Sequence, residues 1–138
     1  MLPGPYGSFP VFSGLGVMSA FNGPGTLFVG PPVSFLSGPN GCMGVNADAQ
    51  IILNGQMRRF GGWFRNAPTS TGVVTTAVTF KFYDAAGLPI GTATRPLTSS
   101  WTWMGFMTLP KWTEVEITGN VTGSPGFVAM DNLRVLPF

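Results

Sequence analysis

The sequence predicts an all-β protein: a jelly-roll-like antiparallel β-sandwich with an extended N-terminal arm rich in glycine and proline. The main observation is that, from residue 45 onward, apolar and polar residues alternate with a period of two, the pattern of half-buried strands. The 138 residues include 20 glycines and 13 prolines, and no segment longer than one turn has the period of a helix. Short strands at regular spacing are typical of β-sandwiches, and the length favours a single domain.

The N-terminal arm is predicted over residues 1–45, and the sandwich domain over residues 46–138. The arm is rich in glycine and proline, which mark turns, but it is too apolar for a disordered tail. Its candidate strands are Phe9–Phe12, Leu15–Phe21 and Thr26–Val29. Asp48 is the only charged residue before Arg58. We therefore expect the arm to pack against protein surfaces and not to face water.

Seven strands are predicted after the arm: Asp48–Leu53, Met57–Arg65, Val73–Asp84, Leu88–Thr94, Trp101–Met107, Trp112–Thr118 and Phe127–Val135. In the third of these, Phe80 and Phe82 fall on one face, together with valines. The turn Ala85–Gly87 joins the third and fourth strands into a hairpin. In the sixth strand, alternation predicts that Val115 points inward and Trp112 outward.

The composition excludes most catalytic chemistry. The chain has no histidine, one cysteine and five acidic residues, which rules out a Ser-His-Asp triad, an intrachain disulfide framework and a cysteine-based zinc site. The net charge is only +2, and no basic tract exceeds Arg58-Arg59, so the sequence argues against a nucleic-acid partner. No apolar run approaches the length of a membrane helix, and residues 1–30 contain no basic residue to begin a signal peptide. We expect neither a membrane partner nor a signal peptide.

The C-terminal part of the chain resembles a known group of proteins. The segments that carry the resemblance are Gly72–Gly91, Trp101–Phe106, Glu114–Asn120 and Phe127–Val135, the last of which contains the triplet Asp-Asn-Leu. Over roughly residues 57–136 the chain is similar to small exported bacterial jelly-roll proteins, of the PEP-CTERM type and of the carbohydrate-binding-module type. The resemblance implies that the strand with this triplet closes the sandwich, and it implies a glycan partner. We expect the chain to differ from the exported proteins in having no C-terminal sorting helix with a basic tail.

Asp131 stands in the last predicted strand. Regular alternation places its carboxylate on the same face as Ala129 and Leu133, and a buried carboxylate needs a partner. The resemblance implies a structural calcium ion held by Asp131 and Asp48, with Asn46 and backbone carbonyls as further ligands. The other interpretation is a β-bulge at Asp131 and the residue after it, or hydrogen bonds to a neighbouring loop, because two carboxylates are few for calcium. No other cofactor is expected.

The strand Trp101–Met107 is apolar on both faces, with Trp101, Trp103 and Met107 on one face and Met104 and Phe106 on the other. Such a strand predicts a protein–protein interface, where Trp and Met are enriched. We expect a homo-oligomer and, by analogy with jelly-roll virion proteins, a trimer. The alternative is a sugar-binding platform, because the apolar faces of pyranose rings stack on indoles. Trp63 and Trp112 could join that platform.

Two further patterns each have a functional and a structural interpretation. Residues 58–65 interleave arginines with aromatic residues, as single-stranded nucleic-acid binders do. Arg58 and Arg59 point to opposite faces of a strand, however, which dilutes any basic patch. The other interpretation is a strand with a glycine bulge at Gly61-Gly62, whose arginines form salt bridges or line a sheet edge. Glu114 and Glu116 share a strand face, as a glycosidase pair could. We expect them to lie on a solvated face, opposite Lys or Arg of the next strand.

Together these features predict a non-enzymatic structural protein. The main hypothesis is a virion component, a phage capsid decoration (cement) protein that is assembled in the host cytoplasm and contacts copies of itself and the capsid shell. It rests on the low charge, 9% of residues, on the apolar arm and on the Trp-rich strand. The alternative is an extracytoplasmic carbohydrate-binding β-sandwich module.

Overall fold

The computed structural model describes residues 4–6, 8–19, 27–29, 42–44, 48–67, 75–120 and 127–138. Most of these residues lie in β-strands, and the described part of the chain has one short helical segment, the 3₁₀ turn Phe12–Gly14. The strands in chain order are β1 (Gly4–Tyr6), β2 (Ser8–Val11), β3 (Gly16–Ser19), β4 (Leu27–Val29), β5 (Cys42–Gly44), β6 (Asp48–Ala67), β7 (Ala77–Tyr83), β8 (Pro89–Pro96), β9 (Thr102–Asn120) and β10 (Phe127–Leu136). The prediction of an all-β chain is confirmed.

The two long strands β6 and β9 run through both layers of the sandwich. Residues 48–52 of β6 pair with residues 114–118 of β9, and residues 59–64 pair with residues 102–107. Between these two regions the register slips on either side of Met57. A bulge bends and twists the strand that contains it. The two strands therefore turn a corner together and stay paired on both sides of it.

The strands form two layers. The first layer contains β3, the first half of β6, the second half of β9, β7 and β8, with β2 paired to β3. The second layer contains β1, β4, β5, β10, the second half of β6 and the first half of β9. Each of these pairs is antiparallel. The fold is a jelly-roll-like antiparallel β-sandwich, as predicted.

Aromatic rings from the two layers meet in the core. The ring centroid of Phe80, in the first layer, lies 5.0 Å from that of Phe64 and 4.6 Å from that of Phe106, both in the second layer. At the bend, Trp112 is fully buried and meets Phe60 edge-on at 5.9 Å. Such ring pairs contribute about 0.5–1.5 kcal/mol each beyond the burial of apolar area. One continuous core therefore holds the two layers together.

Two pairs of predicted strands are in fact single strands. The predicted pairs are Asp48–Leu53 with Met57–Arg65, which form β6, and Trp101–Met107 with Trp112–Thr118, which fall within β9 apart from Trp101. In each strand, the residues between the two predicted segments are also strand, and they lie at the corner where the register slips. The predicted hairpin is confirmed, but its first strand begins at Ala77, and Thr75 and Thr76 precede it. Val73 and Val74 lie outside the described residues.

The corner also reverses the predicted orientation of Trp112. Val115 is fully buried, as predicted, and strict alternation from it would place Trp112 on the outside. The side chain of Trp112 is instead fully buried. The prediction is wrong because alternation holds along a regular ladder, and the register slips between these two residues.

Strands on both sides of the predicted domain boundary at residue 46 belong to one sheet. β3 pairs with β6, and β5 pairs with β10. Met18 of β3 is fully buried in the core. Strands β2, β3 and β4 overlap the three candidate strands predicted in the arm, and they pair into the same sheet as the rest of the chain. The division into an arm and a domain at residue 46 stays a prediction. No helix long and apolar enough to cross a membrane occurs among the described residues.

Candidate functional site

The outer surface of the second layer carries a row of tryptophans, glycines and arginines. Phe60, Phe64 and Met104 of this layer are buried in the core, so the residues that alternate with them face outward. Directly opposite residues of paired strands share a face. We call this surface the tryptophan face; it consists of Arg59, Gly61, Trp63 and Arg65 on β6, of Trp103, Gly105 and Met107 on β9 with the preceding Trp101, and of Asp131, Arg134 and Leu136 on β10.

The indole of Trp103 lies across two glycines that face each other, Gly61 and Gly105. A Cβ atom on Gly61 would stand 2.6 Å from Cζ2 and 2.8 Å from Cη2 of the indole, and one on Gly105 would stand 3.0 Å from its Nε1. A side chain at Gly61 would therefore displace the ring. The opposite residue, Trp63, meets Trp103 at 5.9 Å with an angle of 66° between the rings. Trp103 is 46% exposed, so the ring is supported by backbone below and open to solvent elsewhere.

Two exposed arginines flank the glycine pair. Arg134 of β10 lies directly opposite Gly61, and Arg59 lies between Met107 and Leu136. Together with Trp103 these residues line an open groove of about 460 Å³. The groove therefore combines an exposed indole, bare backbone and two guanidinium groups.

A third arginine lies at the other end of the tryptophan face. The guanidinium of Arg65 lies 5.9 Å from the ring centre of Trp101, and its Nε donates a hydrogen bond to the carbonyl of Asn66 at 3.1 Å. A cation over an indole is attracted by the electrons of the ring. This pair extends the aromatic and cationic character of the surface beyond Trp63.

Asp131 lies on the tryptophan face, opposite Trp63, and is only 7% exposed. Its Oδ1 accepts a hydrogen bond from the backbone N–H of Asn132 at 2.8 Å, and Asn132 has a φ of 50°. The register of β10 against β6 slips between Asp131 and Arg134. The bulge predicted as the alternative to a calcium site is therefore confirmed.

This bulge decides which residues of β10 face outward. Regular alternation predicted that Leu133 shares a face with Asp131, and that prediction is wrong. Leu133 packs against the core, where its Cδ2 would be 2.6 Å from a Cβ atom on the inward-facing Gly62. Arg134 is turned instead onto the face of Asp131 and Trp63. Bulges often re-aim side chains in this way beside binding sites.

The predicted calcium site stays a prediction. Asp48 lies on β6 opposite Thr118, in the first layer, whereas Asp131 lies on β10 in the second. Asn46 is outside the described residues. Among the residues that the structure describes, no group of three or more His, Cys, Asp or Glu side chains could hold a metal ion.

The residues of the predicted interface divide between the two faces of β9. Trp103 and Met107 are exposed on the tryptophan face, and Trp101 is half-buried beside Arg65. Met104 and Phe106 pack in the core of their own chain. Trp112 lies in the core as well, so of the four tryptophans it alone is not on the tryptophan face. The predicted oligomer interface stays a prediction.

The paired glutamates lie on the outer face of the first layer, away from the groove. The hydroxyl of Tyr83 donates a hydrogen bond to Oε2 of Glu116 at 3.0 Å, and Lys81 lies directly opposite Glu116. Glu116 therefore lies opposite a cation, as predicted, whereas Glu114 lies opposite Tyr83 and both carboxylates are partly buried. Burial raises the pKa of the Glu114 carboxyl above its ordinary value, and the negative charge of Glu116 raises it further.

Sequence reasoning missed the pairing of the two glycines and missed Arg134, and it considered Arg59 only as part of a nucleic-acid-binding pattern. It considered Gly61 only within the segment 58–65, as part of that pattern or of a glycine bulge, and did not single out Gly105. The predicted glycine bulge is wrong, because Gly61 and Gly62 pair with β9 in regular register and the slips lie on either side of Met57. Nothing in the sequence shows that these residues lie opposite each other, because β6 and β9 pair over a separation of about forty residues. The two tryptophans at positions 101 and 103 were the signal that pointed to this surface.

No protein-family model matches the chain, and no curated protein matches it. Several solved structures do. The chain is similar to a family 11 carbohydrate-binding module from Clostridium thermocellum in complex with a β-1,3-1,4-mixed-linked tetrasaccharide, with a TM-score of 0.57 and 11% identity over 96% of this chain and 95% of that one. It is similar to a family 61 carbohydrate-binding module in complex with β-1,4-galactotriose, with a TM-score of 0.54 and 12% identity over 89% and 88% of the two chains.

The chain is also similar to an arabinose-bound family 51 α-L-arabinofuranosidase, with a TM-score of 0.64 and 14% identity. The match covers 99% of this chain but only 25% of the enzyme, so the chain spans a quarter of that protein's length. At these identities the likeness shows the fold alone. The predicted resemblance to the PEP-CTERM type stays a prediction, and the chain has the β-sandwich fold that carbohydrate-binding modules share.

Proposed function

We propose that this protein is a non-catalytic carbohydrate-binding module that holds a glycan chain against the tryptophan face. The observation that carries the proposal is the position of the Trp103 indole, which rests on the Gly61–Gly105 pair and is 46% exposed. Pyranose rings have apolar faces of C–H groups that stack on indoles. Because the two glycines carry no side chains, a sugar chain can approach the backbone beside the ring.

The surroundings of Trp103 support the proposal. Trp63 lies next to it, so a second aromatic ring is available along the face. The guanidinium groups of Arg59 and Arg134 offer several N–H donors each to hydroxyl oxygens. A shallow surface with an aromatic platform and convergent donors suits a chain-like ligand better than a small buried one. The fold is shared with modules whose structures hold oligosaccharides.

The capsid-decoration hypothesis is less well supported than glycan binding. It would use the same surface for contact between subunits, and the exposure of Met107 (61%) and Leu136 beside Trp103 is the observation in its favour. The three arginines on the tryptophan face break up the apolar surface, whereas the cores of homodimer interfaces are more continuously apolar. As a glycan-binding module the protein would act outside the cytoplasm.

The test is a panel of soluble polysaccharides in affinity electrophoresis and titration calorimetry. We expect wild-type protein to bind at least one β-linked polysaccharide and Trp103→Ala to lose at least about tenfold in affinity, about 1.4 kcal/mol. Leu88→Ala, which removes an exposed apolar side chain from the β7–β8 turn, is the matched control and should bind normally. Light scattering on the same samples tests the second candidate function, assembly as a capsid-decoration protein. A stable wild-type oligomer that binds no polysaccharide and is dissociated by Trp103→Asp would replace the proposal with assembly.

A further inference from the structure

The charges on the tryptophan face point to a narrower class of ligand. Among the described residues, those that line the groove over the glycine pair include two exposed arginines, Arg59 and Arg134, and no carboxylate. Arg65 stands further along the same face. The protein as a whole has a net charge of only +2. The positive charge is therefore concentrated on this surface and is not a reflection of a basic chain.

The described carboxylate side chains either lie away from the groove or accept hydrogen bonds from backbone N–H groups. Asp131 is the one on the tryptophan face; it is buried and accepts a hydrogen bond from Asn132. Asp84 accepts hydrogen bonds from two backbone N–H groups in the β7–β8 turn. Glu114 and Glu116 lie on the outer face of the opposite layer. An incoming anion therefore meets two guanidinium groups and no exposed negative side chain among the groove-lining residues.

The positions of the two arginines place them close together. Arg134 is directly opposite Gly61, and Arg59 precedes that glycine by two residues, so the two arginines are diagonal neighbours on adjacent strands. Diagonal neighbours in an antiparallel pair are about 7–8 Å apart. Long side chains on diagonal neighbours can reach a common ligand, and an anion bound between two guanidinium groups is attracted by both charges. The bulge at Asn132 brings Arg134 to this position.

On this basis, and resting on the proposed function, we infer that the glycan is a polyanion, whose anionic groups are held by Arg59 and Arg134 while a sugar ring stacks on Trp103. A guanidinium group forms paired, charge-assisted hydrogen bonds with the oxygens of a carboxylate or a sulfate. A carboxylate or a sulfate group on the sugar could therefore bind between the two arginines. The aromatic ring distinguishes such a glycan from a free anion, because a free anion has no apolar face for Trp103.

The experiment compares polygalacturonate with its fully methyl-esterified form, which has the same backbone without the charges. We expect wild-type protein to bind polygalacturonate at least about tenfold more tightly, and this preference to shrink at high salt because exposed charges are screened. Dextran sulfate, whose only anionic groups are sulfates, is the second anionic probe, and uncharged dextran is its matched control. A preference of dextran sulfate over dextran with no preference of polygalacturonate over its methyl ester would identify sulfate as the bound group, and the reverse would identify carboxylate; either supports the inference.

The variants test the two arginines directly. Arg59→Gln and Arg134→Gln should each weaken binding of the preferred polyanion about three- to tenfold. They should weaken binding of the methyl ester much less, because glutamine loses the charge but keeps N–H donors for hydroxyl oxygens. Lys111→Gln removes the same charge from an exposed position of β9 outside the groove and should bind like wild type. Circular dichroism and thermal melts confirm that each variant is folded. Trp103→Ala should weaken binding of both the charged and the uncharged polymer.

The outcomes separate this inference from the proposed function. Equal binding of the charged and the uncharged polymer in both pairs, or an equal loss in Lys111→Gln, overturns the polyanion inference while the glycan function stands. Failure of the wild-type protein to bind any polysaccharide overturns both. Polyanion binding that survives Trp103→Ala unchanged also overturns the inference, because it indicates a general attraction between charges without a sugar platform.

Discussion

The Trp103 indole lies so close to Gly61 that a Cβ atom at that glycine would stand 2.6 Å from its Cζ2. Real Cβ contacts are longer than this, so either the ring or the backbone must move when Gly61 gains a side chain. The backbone here is paired on both sides, with Gly105 of β9 and with Arg134 of β10. We expect the exposed ring to be the part that moves, because it lies at the surface.

Gly61→Ala is therefore predicted to weaken glycan binding at least about tenfold while the protein stays folded. The emission of Trp103 should shift to longer wavelength as the ring leaves the backbone. Gly91→Ala on β8 is the matched control, because a Cβ atom at Gly91 meets nothing within 4 Å. Calorimetry and tryptophan fluorescence are the measurements. If Gly61→Ala binds and fluoresces like the control, the indole is not held in the way described.

The Phe80 side chain joins the two layers, and its removal tests the sandwich core. Phe80→Ala should lower the free energy of unfolding by about 3–5 kcal/mol, because it leaves a cavity among Phe60, Phe64 and Phe106. Phe138→Ala, at a side chain that is 70% exposed, should change it by less than about 0.5 kcal/mol. Urea denaturation followed by circular dichroism measures both. Similar losses for the two variants would contradict the described core.

The Asp131 carboxylate is buried and accepts the N–H of the residue that forms the bulge. Asp131→Ala is predicted to lower the free energy of unfolding by about 1–3 kcal/mol, since it leaves this donor without its partner. Asp131→Asn keeps an acceptor oxygen and should recover part of the loss. Thermal melts are the measurement.

The same thermal melts test whether a calcium ion is bound at Asp131. If calcium is bound at Asp131, a chelator lowers the melting temperature of wild type and has no further effect on Asp131→Ala. If the chelator changes neither protein, the role of Asp131 is confined to the bulge. An Asp131→Ala variant as stable as wild type would contradict both roles.

The raised pKa of the Glu114 carboxyl predicts that the stability of the folded protein depends on pH. Burial and the charge of Glu116 raise the pKa of Glu114 in the folded protein, so the folded state holds this proton more tightly than the unfolded chain does. The stabilisation is complete below the ordinary glutamate pKa, about 4.3, and is lost as the pH rises through the raised pKa. Glu114→Gln removes this titration.

We therefore expect the melting temperature of Glu114→Gln, relative to wild type, to increase as the pH rises from about 4 to 7. Glu116→Gln removes the nearby charge and should reduce the pH dependence of wild type in part. A difference between Glu114→Gln and wild type that stays constant over this range would contradict the predicted shift.

Local patterns in the sequence were sufficient for the fold class and for several strands. The period of two placed Phe80, Phe82, Val115 and Ile117 on core faces, and all four are buried. The turn after Tyr83 was predicted by its residues alone. These features depend on neighbours within a few positions, where alternation and turn preference act directly.

The tertiary structure alone decided which aromatic residues are core and which form the surface platform. Trp112 and Trp103 lie in the same strand, β9, yet the slip of register at the corner buries the first and a regular ladder leaves the second exposed. In the same way, the bulge at Asn132 turns Arg134 outward, and the pairing of β6 with β9 brings Gly61 opposite Gly105. Register and bulges belong to a pair of strands and not to either strand by itself, and a slip of one residue moves every following side chain to the other face of the sheet.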